Sequence, residues 1–295
     1  MAGNKLLYRQ LYQIRRFETV LLEQFKTGIF PGTTHTSLGQ EANAVGVLSH
    51  LEAGDVVVSN HRCHGHFLAY GGDPQALFAE LMGKPSGVCG GVGGSQHLHW
   101  RNFYSSGVQG GTVAMAAGMA LAEKRAGRGA IVVDFMGDGT LGEGILYECL
   151  NMISLWHLPI LIVVENNHIA QTTPDSLVVA GSIRKRFEAF DIPATTLDSS
   201  DILEILPLAG TLIRQVRADS APQALIISTA RLGAHSKGDD TRSPGELEQL
   251  WAARDPVAIQ AERLGEEERQ QAEAEVAASI QSAFEAALTA EGGLR

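Results

Sequence analysis

The residues best suited to chemistry are Asp138, set between Gly137 and Gly139, and Asn167, the second of the pair Asn166-Asn167. The segments before them, 131–136 and 159–165, are rich in Val and Ile, so each residue sits just past the carboxyl end of a strand. One helical stretch joins the two strands. Open α/β sheets bind ligands at that edge, in the crevice between neighbouring strand ends. A hard cation such as Mg²⁺ favours carboxylate, amide and carbonyl oxygens, with phosphate oxygens completing its shell. Asp138 and Asn167 supply the first two kinds, and the backbone carbonyl of Ile169 the third. Gly137 and Gly139 let the backbone turn sharply and approach a ligand. A helix starting near Leu141 offers free amides and a positive dipole end to a phosphate.

These residues need a scaffold, and the hydrophobic patterning supplies one. β-Rich runs at 56–59, 130–136, 160–165 and 224–229 alternate with helical stretches at 112–125, 141–156 and 202–216. That order predicts an α/β fold with a mostly parallel sheet and helices on both faces. Before it, Leu7, Leu11, Ile14, Phe17, Leu21, Leu22 and Phe25 fall at helical spacing until Gly28 ends the pattern. After it, Val276, Ile280, Phe284 and Leu288 form one apolar stripe. The expectation is a single domain over 1–295, with a helical arm at 1–30 and a helical tail at 246–295. The stretches 83–94 and 233–245 are polar or glycine-dense and read as loops, of the long kind that is often functional or mobile.

The bulk properties exclude several classes. The chain of 295 residues carries a formal net charge of −10, which disfavours nucleic-acid binding by phosphate neutralisation. No apolar run is long enough to span a bilayer, and the N-terminal residues lack the apolar core of a signal peptide. Cys63, Cys89 and Cys149 are scattered, so they are expected as free thiols in a reducing compartment, the cytoplasm. His61, His64, His66, His97 and His99 lack the paired spacing of a zinc site. The glycines near 83–94 fit neither a phosphate-binding P-loop nor a dinucleotide fingerprint. Glu41 is expected to be structural.

The Gly137-Asp138-Gly139 turn, the helix and the Asn166-Asn167 pair together match the thiamine diphosphate motif. Further segments narrow the family: His35 to Glu41 (HTSLGQE), Asn60 to Gly65 (NHRCHG), Gly93 to His97 (GGSQH), Gly118 to Ala122 (GMALA), Arg231 to Ser236 (RLGAHS) and Asp239 to Arg242 (DDTR). In that order the chain, from about residue 8 to about residue 260, resembles the E1 α subunits of 2-oxo acid dehydrogenases of the pyruvate, branched-chain and acetoin type. The resemblance implies thiamine diphosphate and Mg²⁺ as cofactors. It places Asp138, Asn167 and the Ile169 carbonyl on the metal. It places Arg62, Gly139 and Thr140 at the diphosphate, with His61 beside Arg62, and Gly107 and Gln109 at the aminopyrimidine. His235, on a mobile loop, faces the thiazolium, and His35 stands at the entrance. Both histidines suit proton transfer because their ordinary pKa is near neutrality.

The resemblance also implies a partner. Such enzymes need a second domain that binds the aminopyrimidine and supplies an activating glutamate, and this chain is used up without it. A β subunit in an α₂β₂ tetramer is therefore expected, with a lipoyl-bearing E2 as acyl acceptor. The reaction implied is decarboxylation of a 2-oxo acid, or acetoin cleavage, with transfer of the acyl group. An alternative rests on Gln109, Gln171 and the transketolase-like stretches 105–111 and 139–144: a carboligase or transketolase-like α subunit that joins the fragment to an aldehyde or other acceptor. Ser236 follows the loop histidine at a position phosphorylated in some members.

Overall fold

A computed structural model describes residues 3–236 and 238–292. Met1, Ala2, Lys237 and residues 293–295, including the extreme ends of the expected arm and tail, lie outside the described residues. The first half runs α1 (Asn4–Phe25), α2 (Glu41–Leu48), β1 (Val56–Ser59), α3 (His64–Ala69), α4 (Pro74–Leu81), β2 (His99–Trp100), β3 (Phe103–Ser105), α5 (Gln109–Ala126) and β4 (Val132–Gly137). A 3₁₀ turn, Asp138–Gly142, then precedes α6 (Gly144–Leu155), β5 (Ile160–Asn166), β6 (Ile169–Ala170) and β7 (Thr173–Pro174). The chain ends with α7 (Ile183–Glu188), β8 (Ala194–Asp198), α8 (Ile202–Asp219), β9 (Gln223–Ser228), α9 (Pro244–Arg254), α10 (Pro256–Ala261) and α11 (Glu266–Thr289).

The main sheet has the order β2-β3-β1-β4-β5-β9-β8. Every pairing in it is parallel except β2 with β3. This is the expected α/β architecture, and the reason is visible in the strands. Val57, Val133, Phe135, Leu161, Val163, Leu225 and Ile227 face one core, closed by α1, α2, α4, α8 and α11. The alternate residues, including Val58, Val132, Met136, Ile162, Val164 and Ile226, face a second core under α5, α6 and α7. Strands buried on both faces become near-continuous apolar runs, which is why β4 and β5 were legible. Among the described residues no helix is long and apolar enough to cross a membrane.

The terminal helices join the first core. α1 ends at Phe25, and Gly28 follows with φ +79°, the left-handed conformation expected there. Val276, Ile280 and Phe284 of α11 are buried as expected, whereas Leu288 is exposed, and so is Leu22 on α1. In α11 a strict four-residue spacing drifts around the helix, so Ala287 takes the buried place at the last turn, whereas in α1 Leu21 and Phe25 stay on the core and Leu22 lies one residue off that face. Arg15 ties arm to tail, donating to Glu41 and Asp255 at 2.7 Å each. Glu41 is fully buried and also accepts the Gly39 amide, the structural role expected of it.

The glycine-dense loop after α4 is organised by one side chain. Glu80 is fully buried, and its carboxylate accepts backbone N–H bonds from Cys89 (2.6 Å), Gly91 (2.9 Å), Gly93 (2.7 Å) and Gly94 (3.0 Å). Gly91 has φ +80°, and a Cβ there would lie 2.4 Å from the Gly83 carbonyl carbon, so only glycine fits. Hydrogen bonds to a charged acceptor contribute about 1.5–3 kcal/mol each. Glu80→Gln, which replaces one oxygen by an amide donor facing N–H groups, should therefore lower stability by at least about 2 kcal/mol. It should also speed hydrogen exchange at those four amides. An unchanged urea midpoint and unchanged exchange would show that the loop is held by other means.

Candidate functional site

The carboxyl ends of β4 and β5 form one wall of a cavity of about 300 Å³. Its lining includes Gln40, His61, Arg62, Gln109, Gly137 to Thr140, Asn167, Ile169, Arg231 and His235. The structure thus brings together nearly all the residues singled out in the sequence. β4 and β5 are in register with Gly137 opposite Glu165, so Asp138 and Asn167 leave adjacent strands at the same edge. The two-residue turn between β6 and β7, with Gln171 at φ +55°, brings Ile169, Ala170 and Gln171 into the lining beside the 138–142 turn.

One local expectation needs correction. The helix near Leu141 begins only at Gly144, because Glu143 is extended (φ −92°, ψ 129°), and the 3₁₀ turn of 138–142 occupies its expected first turn. Glu143 instead accepts the Gly110 amide at 3.1 Å and so couples the starts of α5 and α6. Gly137 and Gly139 do not use left-handed backbone angles, since neither has a positive φ. Space at Gly139 is tight: a Cβ there would lie 3.1 Å from the Ala170 Cβ, which would have to give way slightly.

The cavity is lined by polar atoms that the protein leaves free. Among the described residues, Asp138 Oδ2, Thr140 Oγ1, Gln109 Oε1, Gln40 Oε1 and both His61 ring nitrogens are buried without a hydrogen-bond partner. The Gln109 amide approaches His61 without closing a geometric bond. Buried polar groups are nearly always paired, so such a cluster fits a polar ligand. Burial raises the Asp138 pKa, opposed by the Gly139 amide that its Oδ1 accepts at 3.1 Å. A cation would reverse that shift. Asn167 Oδ1 accepts the Ile169 amide at 3.3 Å. The Ile169 carbonyl accepts a long bond, 3.4 Å, from Arg231.

Cationic groups face this set. Arg62 is buried and donates from Nη1 to the Thr36 carbonyl at 2.8 Å. Burial, and next the Arg231 charge, push its pKa down to about 9. A guanidinium keeps its proton in proteins, so the direction means two buried cations crowded together, a setting that favours an anion. Burial also lowers Arg231, followed by the neighbouring Arg242. Arg231 was not foreseen as a site residue, although its loop was. The signal was an arginine followed by small residues and His235. Its burial, however, comes from the β6–β7 turn, whose Gln171 carbonyl it binds at 3.0 Å.

Glu165, at the end of β5, is held by Asn43 (3.0 Å) and Asn60 (3.2 Å). Burial alone would raise its pKa, but His66 and these amides outweigh it and hold it low. His35, His61 and His235 form a cluster, with ring centroids 4.6–5.3 Å apart. Burial and then Arg62 push His35 down to about 3 and His235 down to about 4, and keep His61 well below its ordinary value. All three are neutral at pH 7, so the near-neutral titration expected of His35 and His235 does not hold in this environment. Their nitrogens lie within 4.8 Å of one another, but Arg62 beside them makes a cation unfavourable. His35 is also buried rather than placed at an entrance. Gly107 packs under Gln96, where a Cβ would come 2.0 Å from the amide oxygen. Arg242 donates to the carbonyls of Arg231 and Gly233 and so ties its own segment back to the loop at 231–233 that follows β9. Ser236 bonds to Asp239 through its amide (2.8 Å) and hydroxyl (3.3 Å), so a phosphate there would meet a carboxylate.

Comparison with known proteins agrees with this geometry. The profile of the family described as "Dehydrogenase E1 component" matches residues 9–292. The chain is 36% identical to the α subunit of acetoin:2,6-dichlorophenolindophenol oxidoreductase from Cupriavidus necator, over 96% of this chain and 89% of that one. It is 36% identical to the Bacillus subtilis protein of the same name, over 86% and 78%. It is 37% identical to the pyruvate dehydrogenase E1 component α subunit of Zymomonas mobilis, over 85% and 73%. A match over nearly the whole chain, on a sheet whose strand ends carry the family's motif, leaves one conclusion: this chain belongs to the dehydrogenase E1 component family and resembles the α subunits within it.

Proposed function

We propose that this chain is the α subunit of a thiamine diphosphate- and Mg²⁺-dependent E1 enzyme that decarboxylates a 2-oxo acid, or cleaves acetoin, and passes on the acyl group. The observation that carries this is the facing of Asp138, Thr140 and Asn167 by Arg62 and Arg231 across one cavity at the strand ends. Asp138, Asn167 and the Ile169 carbonyl would hold the metal. Arg62 would neutralise diphosphate as a charge-assisted donor, and Arg231 would join it. Backbone groups at Gly139 and Thr140 would approach the diphosphate, and those at Gly107 and Gln109 the aminopyrimidine. His35, His61 and His235 would surround the reacting carbon. Thiamine diphosphate, when bound, supplies the carbanion stabilisation that the side chains cannot.

A partner fits the surface. Val108 and Met115 on or beside α5, and Ile145, Met152, Leu155 and Trp156 on or beside α6, are exposed large apolar residues along the packed α5–α6 pair, whose first turns adjoin the cavity. Clustered exposure of this kind marks an interaction site. We assign it to a β subunit that completes the site, in an α₂β₂ assembly, with a lipoyl-bearing E2 downstream. Met152→Asp with Leu155→Asp should abolish co-purification with β while leaving the circular dichroism of the α chain unchanged. Retained pairing would move the interface elsewhere. The three cysteines are unpaired, which fits a cytoplasmic setting.

The deciding experiment supplies the α chain and its β partner with Mg²⁺, thiamine diphosphate, a panel of 2-oxo acids and acetoin, and an artificial electron acceptor. Dye reduction with one substrate supports the proposal and identifies the acyl group. A carboligase is the second reading, favoured by the amides of Gln40, Gln109 and Gln171 in the lining. Product formed only when an aldehyde is added would establish it instead.

A further inference from the structure

What the pocket's imidazoles can do depends on which nitrogen of each ring carries its hydrogen. Arg62 Nη2 lies 3.2 Å from His235 Nδ1. A guanidinium only donates, so this Nδ1 accepts and the hydrogen sits on Nε2. Gln96 presents its amide nitrogen to His35 Nδ1 at 3.1 Å. An amide nitrogen also only donates, so His35 likewise carries its hydrogen on Nε2.

Gln96 is well placed to impose this. Its carbonyl accepts from Ser105 Oγ at 2.9 Å. Its neighbour Ser95 bonds through Oγ to His64 Nε2 at 2.9 Å, and the Ser95 carbonyl accepts from Cys63 Sγ at 3.2 Å. The loop before it hangs on the Glu80 carboxylate. A side chain fixed by its supporting shell can set the orientation of the ring it touches. The groups facing His35 are Arg62, His61, His235, His64 and Asp239, and those facing His235 are Arg62, Arg231, Asp239, His35 and His61. Only Asp239 favours a charged ring, and burial and the arginines outweigh it.

We propose that Gln96 is a positioning residue for the reaction: with Arg62 it holds His35 and His235 as neutral Nε2–H tautomers, so both rings meet the substrate as hydrogen-bond donors rather than as bases. This deepens the E1 assignment above and rests on it. Fixed neutral donors aimed where negative charge develops on a carbonyl oxygen stabilise it without reorganising, and they add no further cation beside Arg62.

The test is long-range ¹H–¹⁵N spectroscopy of the full chain labelled at histidine, without cofactor, at neutral pH. Signals are assigned by loss in His35→Asn and His235→Asn. Both rings should show an unprotonated Nδ1 and a protonated Nε2. His64 provides an opposite reference, since its Nδ1 faces the Glu18 carboxylate at 3.2 Å and must donate. Gln96→Glu presents only acceptors, so it should protonate His35 Nδ1 and leave His235 unchanged. In the assembled enzyme the same variant should lower kcat about 100-fold with little change in cofactor KM. A wild-type His35 already protonated at Nδ1, or a His35 pattern indifferent to Gln96→Glu, would overturn the proposal. The spectra need neither cofactor nor turnover, so failure of the E1 assignment would be seen separately, in the dye assay.

Discussion

Arg62→Met should weaken thiamine diphosphate binding by about 30-fold or more, the equivalent of the roughly 2–5 kcal/mol lost when one partner of a buried charge pair is removed. Methionine keeps the volume and removes the charge and the fork. Arg62→Lys should fall between, since it restores the charge but not the planar pair of donors. The measurement is Mg²⁺-dependent cofactor titration of the α chain assembled with its β subunit. A second observable separates ligand binding from structural support. Arg62 and Arg231 are crowded cations, and after burial the Arg231 charge is the largest influence lowering the Arg62 pKa. Removing one relieves that repulsion and offsets the lost bond to the Thr36 carbonyl. The cofactor-free variant should therefore melt no lower than wild type. A variant that binds cofactor normally, or one that binds weakly only because it unfolds, would remove Arg62 from the ligand site.

Much of this site was legible because its signals are local. Asp138 and Asn167 follow β-branched runs, and a parallel strand buried on both faces announces itself by composition. His61, Arg62, Gln109 and His235 came from family resemblance, and the fold then places them on one cavity. What stayed hidden depends on tertiary contact. Helix α2 is buried along its whole length, so it shows no polar face to mark its period. Strands β2 and β3 have two and three residues, too few for alternation to register. Strand β8 reads Ala-Thr-Thr-Leu-Asp and sits at the sheet edge, where polar residues are tolerated. Gln96 and Glu80 look like ordinary surface polars in the sequence. Only the folding back of the glycine loop gives one a histidine and the other four amides.

The same contrast between local sequence and buried environment makes Asp134 the residue whose replacement should most change stability. It lies on β4 opposite Val58 and Ile162, pointing into the second core with Val132 and Met136. It is fully buried, and neither carboxyl oxygen has a partner among the described residues. Burial alone raises its pKa to about 7. The unfolded chain releases this proton near pH 4, whereas the folded chain keeps it until about pH 7. An acid raised in this way gives its full stability below the unfolded pKa, and the folded state loses stability as pH rises toward the folded pKa. The shift of about three units corresponds to about 4 kcal/mol lost across that window. Asp134→Asn keeps the shape and cannot ionise. Near pH 4 the variant and wild type should melt together, because both are neutral there. By pH 8 the variant should be the more stable by several kcal/mol, read as a separation of urea midpoints that grows with pH. Parallel midpoints across the range would mean that Asp134 finds a proton-independent partner in solution. A wild type that gains on the variant as pH rises would mean that its carboxylate is paired with a cation.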